Sequence, residues 1–225
     1  MTALRGALFD VDGTLVDSTY FHTIAWWHGF RRFGHDVRMN EIHRRVGMGG
    51  QRIVEQVLGP GRDASQDGEI MDTHSAVFST FWPHLRAFDG ARGLLERCKS
   101  AGLTVVLASS ARRQDLDVLR SVIDADEFID AATSSADAKE SKPAPDILVA
   151  ALGAGGLDAS EALFVGDAVW DVQAASALGI PTVGLASGGY SAAELREAGA
   201  VEVSASPREL LDGFERSEIG RRLGG

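Results

Sequence analysis

Short apolar runs that alternate with helix-like segments constrain this sequence more than any other feature. Several runs are rich in β-branched or aromatic residues, and they predict strands near 6–10, 103–109, 127–132, 162–167, 181–186 and 200–204. Helical periodicity between them predicts helices near 91–101, 113–123, 144–153, 169–178, 192–198 and 207–214. Alternating strands and helices imply right-handed crossovers and a mainly parallel sheet covered on both faces. The predicted fold class is therefore α/β.

One segment departs from this alternation. Between Val16 and Phe88 there is no convincing strand, and the helical patterns lie near 17–33, 40–58 and 64–82. The segment holds all six histidines and no lysine, and its arginines balance its acids, so the rest of the chain carries the net charge of −10. The histidine spacings include neither an H-x-x-x-H pair nor a cysteine partner, which argues against a histidine metal site.

This change in composition predicts two domains. Residues 1–15 and 89–225 are expected to form the α/β core, and residues 16–88 an inserted α-helical cap domain. The loop-like joins at Leu15–Ser18 and Arg86–Gly90 are the expected hinges.

Charge and cysteine content limit the partners. A pI near 5.0 argues against nucleic acid, because phosphate backbones select basic faces. The single cysteine, Cys98, cannot form an internal disulfide, and it is expected to lie on a helix in a packing role. No stretch approaches the ~18–20 apolar residues of a membrane span, and no secretory leader is evident. We expect a soluble cytoplasmic protein, a monomer or weak homodimer, with no nucleic-acid or membrane partner.

Polar side chains follow three of the predicted strands. Asp10 and Asp12 end the first, Ser109 and Ser110 end the second body strand, and Asp167 follows L-F-V-G. Because open parallel sheets bind ligands at the carboxyl ends of their strands, these side chains are expected at one rim. Two more residues with relevant chemistry are Lys142, at the start of a helix, and Asp171, one turn after Asp167.

Taken singly, these residues have ordinary interpretations as turns, a helix cap or loops. Taken together, the acids would repel one another unless a divalent cation joined them, and oxygen-only ligation suits Mg²⁺. A carboxylate in such a site can attack phosphorus, because metal, lysine and backbone amides neutralise the phosphoryl oxygens. A second carboxyl group two residues later can move protons, which requires the two acids to differ in protonation state.

The same residues resemble the motifs of a known family. D-V-D-G-T at 10–14, Ser109, Lys142 and G-D-A-V-W-D at 166–171 are similar, in this order, to the four motifs of the haloacid dehalogenase (HAD) superfamily of phosphohydrolases. The likeness covers nearly the whole chain. The helical insert after the first motif resembles the C1 cap of the phosphoglycolate phosphatase and β-phosphoglucomutase-like branch. The resemblance implies a Rossmann-like core, a phosphatase activity and a Mg²⁺ cofactor.

The resemblance also implies roles for the catalytic residues. Asp10 would be the nucleophile that becomes an aspartyl phosphate. Asp12 would be the general acid and base, with its main-chain carbonyl on Mg²⁺. Ser109 and the amide of Ser110 would hold the phosphoryl group, and Lys142 would orient it and offset charge.

Metal and loop residues follow from the same likeness. Asp10 and Asp167 would ligate Mg²⁺, with Asp171 supporting that site directly or through water. Gly13 and Thr14 would belong to the phosphate-binding loop, where Thr14 fixes the loop instead of doing chemistry. A further residue, His22, resembles a hinge or substrate-contact histidine of the mutase-like members; plain packing is the alternative.

The cap is expected to select the substrate. The stretch from Gly47 to Arg52, including Gly49 and Gly50, resembles the substrate-specificity loop of the cap. Arg45 and Arg52 are candidates to contact an anionic group on the substrate, and a solvated helix face is the alternative for both. Mutase-like members carry an arginine near the place of Gly50, which weakens the mutase interpretation.

Other departures from the family's patterns exclude further activities. Phosphonoacetaldehyde hydrolase relatives need a cap lysine, which this segment lacks, and haloacid dehalogenases proper lack the second aspartate, here Asp12. The function predicted is a Mg²⁺-dependent phosphatase acting on a small phosphorylated metabolite, such as a sugar phosphate or phosphoglycolate. The alternatives are a β-phosphoglucomutase-like phosphomutase, a receiver-like phospho-acceptor in signalling, and a non-catalytic binding protein.

Overall fold

A six-stranded parallel sheet forms the centre of the protein in the computed structural model, which describes residues 3–223. The strands are β1 (Gly6–Phe9), β2 (Thr104–Ala108), β3 (Ala131–Thr133), β4 (Ala162–Gly166), β5 (Thr182–Leu185) and β6 (Glu202–Ser204). Their order is β3-β2-β1-β4-β5-β6, so β1 lies between β2 and β4. The predicted α/β fold class, with a Rossmann-like parallel sheet, is confirmed.

Helices connect these strands and fill the segment after β1. They are α1 (Thr19–Arg32), α2 (Met39–His43), α3 (Gly50–Leu58), α4 (Asp67–Ser79), α5 (Ala91–Ser100), α6 (Arg113–Ile123), α7 (Asp146–Gly155), α8 (Val169–Ser176), α9 (Ala192–Ala198), α10 (Pro207–Asp212) and α11 (Glu218–Leu223). No helix among the described residues combines the length and apolar character that a membrane crossing requires.

Burial of both sheet faces explains the uninterrupted apolar sequence of the central strands. Leu8 of β1 pairs with Val106 on β2 and Phe164 on β4, and all three belong to the cluster beneath α7. The neighbours of Leu8 on β1, Ala7 and Phe9, point to the opposite face of the sheet, into the apolar cluster that includes residues of α5 and α6. Because successive strand residues face opposite sides, a strand buried on both faces needs apolar residues at every position.

The four helices between β1 and α5 pack around a small apolar cluster of their own. Its buried members include Trp26 and Phe30 from α1, and Ile53 and Ile70 from α3 and α4. α1 and α4 approach so closely that a Cβ added at Gly29 would lie only 3.0 Å from the main-chain oxygen of Ile70. Glycine at this position therefore permits the tight packing of the two longest helices of the segment.

Two adjacent chain connections join this segment to the sheet. Val16 and Ala87 form an isolated antiparallel bridge. The amide of Asp17 donates to the oxygen of Arg86 at 2.9 Å, and the amide of Phe88 donates to the oxygen of Leu15 at 2.9 Å. Both predicted hinges thus lie side by side; the division into core and cap domains remains a prediction.

Two elements differ from the sequence-based expectation. The helix expected over 40–58 is two helices, because the chain between α2 and α3 turns at Gly47, whose φ of +100° is left-handed. The third strand is only three residues long and follows a 3-10 turn at Asp126–Phe128. The carboxylate of Asp130, the residue before β3, accepts a hydrogen bond from the amide of Val105 on β2 at 2.9 Å. This side-chain acceptor replaces a main-chain carbonyl in the pairing of β2 with β3.

Phe164 provides a test of the packing beneath the sheet. Its side chain is fully buried on β4, so Phe164→Ala should lower the free energy of unfolding by about 3–5 kcal/mol. Urea unfolding followed by circular dichroism measures this change. Val149 on α7 is 53% exposed, and Val149→Ala is the matched control, with an expected change within about 0.5 kcal/mol. Equal effects of the two substitutions would contradict this description of the core.

Candidate active site

Three central strands end at one rim and bring their polar side chains together. Asp10 directly follows β1, Ser109 follows β2 and Asp167 follows β4. Because β1 pairs in parallel register with both of its neighbours, the carboxyl ends of all three strands are adjacent. The amide of Asp10 also donates to the oxygen of Val165 at 2.9 Å, which ties the residue to β4.

A buried acidic cluster lies at this rim. One carboxylate oxygen from each of Asp10, Asp167 and Asp171 lies within 4.8 Å of the others, and all three residues are buried. Asp171 reaches the cluster from the first turn of α8, where one of its oxygens accepts the amides of Asp167 at 3.1 Å and Ala168 at 3.0 Å.

Lys142 is the cation of this cluster. Its side chain is fully buried, and its Nζ lies 2.6 Å from Oδ1 of Asp10 and 2.7 Å from Oδ1 of Asp171. Burial alone would lower the pKa of the Lys142 ammonium, but the charges of the two carboxylates outweigh it, so that pKa is raised. With Lys142 protonated and all three acids ionised, the cluster carries a net charge of −2.

The carboxyl groups show the consequence of this excess negative charge. Burial, opposed by the charge of Lys142 and reinforced by that of Asp171, raises the pKa of Asp10 to about 7. Burial and the neighbouring acids also hold the pKa of Asp167 well above its ordinary value. A divalent cation would remove the net charge, and oxygen-only donors suit Mg²⁺, so the residues present fit such an ion.

A tight loop after β1 supports the cluster. Gly13 has a φ of +82°, a conformation that favours glycine, and its oxygen accepts from the Ser187 hydroxyl at 2.7 Å. The Thr14 hydroxyl donates to Oδ1 of Asp167 at 2.8 Å and lies 3.3 Å from Oδ2 of Asp10. Thr14 therefore links two acids of different strands, in agreement with a loop-fixing position.

Asp12 lies in a different environment. Its Oδ1 accepts from the Ser18 hydroxyl at 2.6 Å and lies 3.1 Å from Nε2 of His22. Burial pushes the pKa of Asp12 upward, but His22 and Ser18 outweigh it, so that pKa lies below its ordinary value. The other ring nitrogen of His22 is 3.1 Å from Nε2 of His74. Two carboxyl groups only two residues apart thus have pKa values shifted in opposite directions.

A cavity of about 280 Å³ opens above these two acids. The core side of its wall includes Asp10, Asp12, Ser110 and Arg112, and the segment after β1 contributes residues of α1, α3, α4 and the loop before α3. The apolar side chains among these last are Trp26, Val46, Met48, Ile53 and Met71. A small molecule held here would touch both the acidic cluster and this apolar wall.

Comparison with known proteins assigns the family. The model of the haloacid dehalogenase-like hydrolase family matches residues 7–185, which include every residue of the acidic cluster and Lys142. The chain belongs to this family. The predicted membership, and the prediction that the chain is an enzyme of the hydrolase class, are confirmed.

Individual relatives agree with this membership. The chain is 33% identical over 206 residues to SUPPRESSOR OF QUENCHING 1 of Arabidopsis thaliana; the match covers 87% of the chain but only 19% of that longer protein. It is 28% identical over 204 residues to a phosphoglycolate phosphatase of Yersinia pestis, covering 83% of the chain and 82% of the relative. A solved hydrolase structure from Pseudomonas syringae superposes with a TM-score of 0.90 at 30% identity, covering 94% and 98% of the two chains.

Of the remaining predicted site residues of this HAD-like hydrolase, most lie at or beside the cavity. Ser110, His22, Gly49 and Gly50 line the cavity. Ser109 is fully buried beside it, and its hydroxyl oxygen accepts the amide of Ala111 at 3.0 Å, which shapes the turn after β2.

The two predicted cap arginines lie elsewhere. Arg45 donates to the oxygen of Glu41 at 2.7 Å and lines a shallow hollow beside Trp170. Arg52 pairs with Glu140 at 3.3 Å. Neither is among the described residues that line the cavity, which favours the solvated-face interpretation for both.

Among the residues of the cavity wall that sequence reasoning missed, three have titratable or charged side chains. Arg112 and Asp115 line it, and their position just after Ser109-Ser110 in the chain is a signal that could have identified them. His74 also lines it, stacked on Trp26 with ring centroids 4.0 Å apart. No sequence pattern marks His74, because its contact with His22 is made between two helices 52 positions apart.

Gly188 provides a test of this geometry. A Cβ added there would overlap with Oδ2 of Asp167, so Gly188→Ala should displace that carboxylate and lower kcat/KM by about 10- to 100-fold, the effect typical of altered support around a metal site. Phosphate release measures the change. Gly153→Ala in α7 is the matched control, since no atom lies within 4 Å of its added Cβ, and it should keep full activity. A Gly188→Ala variant with full activity would contradict the close approach of Gly188 to the Asp167 carboxylate.

Proposed function

We propose that this hydrolase is a Mg²⁺-dependent phosphatase that acts on a small phosphorylated metabolite through an aspartyl phosphate on Asp10. The observation that carries the proposal is the pairing of Asp10, held at 2.6 Å by buried Lys142, with a second carboxyl group, Asp12, on the same cavity wall. The two acids lie in different environments, with the pKa of Asp10 raised and that of Asp12 lowered; a bound divalent cation would favour the ionised form that Asp10 needs as the nucleophile.

In the first step, a carboxylate oxygen of Asp10 attacks phosphorus while the bond between phosphorus and the ester oxygen breaks. Protonated Asp12 gives its proton to the leaving oxygen, and the alcohol departs. The hydrogen bonds of Asp12 to described residues all use Oδ1, so Oδ2 is available for this transfer. The negative charge of a bound phosphate ester favours protonation of Asp12, because like charges raise the pKa of a carboxyl group.

In the second step, Asp12 as carboxylate takes a proton from water as the water attacks phosphorus. The bond between phosphorus and Asp10 breaks, and inorganic phosphate leaves. The contacts of Asp12 with His22 and Ser18 favour this ionised form. Asp12 therefore acts first as a general acid and then as a general base, because the second step reverses the direction of proton transfer.

The remaining core residues hold the phosphoryl group and the metal. Lys142, Ser109 and the amide of Ser110 orient the phosphoryl oxygens. Mg²⁺, when bound, supplies positive charge to those oxygens. Its proposed ligands are Asp10, Asp167 and the main-chain oxygen of Asp12, with Asp171 supporting the site directly or through water; Oδ2 of Asp171 accepts two main-chain amides, which fixes the position of this carboxylate.

Residues 16–88 are proposed to form the cap that covers the site, with hinges at the two adjacent connections. Support comes from the cavity, whose wall includes Trp26, Gly49 and Gly50 from this segment. Support also comes from Asp12, whose carboxylate is held by Ser18 and His22 at the start of the segment. Closure of the cap would therefore exclude water and fix the proton-transferring group in one motion.

Other expectations from the sequence remain predictions. A phosphomutase of the β-phosphoglucomutase type would use the same two acids and return a phosphoryl group to the sugar, and a receiver-like phospho-acceptor would stop after the first step. The sequence likewise predicts a monomeric or weakly dimeric state, no nucleic-acid or membrane partner and a cytoplasmic location.

Asp10→Asn tests the nucleophile. The amide cannot form the covalent intermediate, so kcat on p-nitrophenyl phosphate should fall by more than about 10³-fold. Continuous release of p-nitrophenol by the unmodified protein with Mg²⁺ is the reference. Phosphate release without isomer formation, when a sugar 1-phosphate and a bisphosphate activator are added, separates the phosphatase from the mutase. An Asp10→Asn variant with substantial turnover would rule out the proposed mechanism.

Mg²⁺ binding can be tested without turnover. An ion that binds only the folded protein at about 100 times its Kd should stabilise it by about 2.7 kcal/mol, which raises the Tm of a chain of this size by roughly 5–10 °C. Differential scanning fluorimetry after chelation and Mg²⁺ addition measures the shift. Asp167→Asn should remove it, whereas Asp117→Asn, an exposed acid on α6, should keep it. A shift that survives Asp167→Asn would place the ion elsewhere.

A further inference from the structure

One buried hydroxyl group beside the acidic cluster has no protein partner. The Oγ1 atom of Thr19, the first residue of α1, makes no hydrogen bond to the part of the chain that the structure describes. Thr19 is only 5% exposed, so bulk water does not supply the missing partner. A buried hydroxyl without a partner costs free energy and is uncommon in folded proteins, so the groups that it faces need to be identified.

The Thr19 hydroxyl faces the carboxylate of Asp167 across the loop after β1. A Cβ added at Gly13 would lie 2.5 Å from Oγ1 of Thr19 and 2.6 Å from Oδ2 of Asp167, so these two oxygens are at most about 5 Å apart. Glycine at position 13 leaves no side chain between them. One water molecule with hydrogen bonds of about 2.8 Å reaches two oxygens that are up to about 5.6 Å apart, so a single water can bridge this pair.

The Asp167 carboxylate is fixed through one oxygen alone by the described residues. The Thr14 hydroxyl donates to its Oδ1 at 2.8 Å, which leaves Oδ2 without a donor from this part of the protein. A Cβ added at Gly188 would overlap with Oδ2, so the wall on that side has no side chain either. A carboxylate held at one oxygen keeps the freedom to turn about its Cβ–Cγ bond, and that motion displaces the other oxygen.

We propose that Thr19 is a positioning residue for the Mg²⁺ site and that its hydroxyl holds Oδ2 of Asp167 through one bridging water. Thr14 and Thr19 then fix the two oxygens of one carboxylate, the first from the loop after β1 and the second from the first turn of α1. Groups that hydrogen-bond a metal ligand orient it and raise the affinity for the ion. This inference rests on the proposed function, because it requires Asp167 to bind Mg²⁺.

Thr182 offers a matched control. Its hydroxyl is also buried without a partner among the described residues, but Thr182 begins β5, at the opposite edge of the sheet from the carboxyl-terminal rim. Valine has nearly the shape of threonine and lacks the hydroxyl, so a valine at either position removes the same group with little change in packing. The two substitutions therefore differ in the distance of the lost hydroxyl from Asp167.

Calorimetric titration of Mg²⁺ into the substrate-free protein tests the proposal without turnover. Thr19→Val should raise the Kd for Mg²⁺ by about 10- to 100-fold, the usual effect of removing a group that supports a metal ligand. Thr19→Ser keeps the hydroxyl and should restore most of the affinity, and Thr182→Val should bind like the unmodified protein. The Tm in the presence of a chelator checks that each variant folds. Thr19→Ala, compared with Thr19→Ser, gives the same test if Thr19→Val does not fold.

The outcomes separate this role from the proposed function. An unchanged Kd in Thr19→Val, or an equal loss of affinity in Thr182→Val, would overturn the role of Thr19 and leave the metal site intact. A Thr19→Ser variant that binds Mg²⁺ as weakly as Thr19→Val would also overturn it, because the hydroxyl would then not be the group that acts. If the unmodified protein binds no Mg²⁺, or if Asp167→Asn keeps the same Kd, the proposed metal site fails and the role of Thr19 falls with it.

Discussion

The buried contact of Lys142 with Asp10 and Asp171 is the interaction on which the rest of the site depends. It joins an acid at the end of β1, an acid on α8 and a lysine that comes between them in the sequence. Removing one partner from a buried ion pair costs about 3–5 kcal/mol, because the other charge is left without compensation. Here the pairing is also incomplete, since three acids face one cation. That excess of negative charge makes the rim suitable for a divalent cation such as Mg²⁺, whose charge would in turn offset that of a phosphoryl group.

Asp10 and Asp12 show how one short stretch supplies two kinds of carboxyl group. Asp10 ends a central strand and lies beneath the sheet rim among other acids, so burial and repulsion raise its pKa. Asp12 lies beyond the strand, where Ser18 and His22 stabilise its charge. Because those two partners belong to the start of the helical segment, the protonation behaviour of Asp12 depends on how that segment lies over the sheet. The ionisation of Asp12 is thereby linked to the position of the helical segment through Ser18 and His22.

The sequence predicted the regular parts of the protein well and the irregular parts poorly. All six strands, and the convergence of Asp10, Ser109 and Asp167 at one rim, follow from apolar periodicity and from the geometry of parallel sheets. The break between α2 and α3 was missed, because hydrophobic periodicity does not encode the left-handed turn at Gly47, where an added Cβ would lie 3.1 Å from the Cβ of Ala168. Arg45 and Arg52 were reasonable candidates by charge, yet local partners hold them away from the described cavity wall.

The sequence by itself determined the order of the strands along the chain, the residues at their ends and, through those residues, the kind of chemistry that is possible. These properties are local: a two-residue alternation fixes which side chains are buried, and a strand's end fixes where its polar residue lies. Only the tertiary structure decided which polar and charged side chains lie close enough to affect one another's ionisation. The contact of His22 with His74 and the place of Arg112 on the cavity wall join distant segments, and burial there holds the pKa of His74 well below its ordinary value.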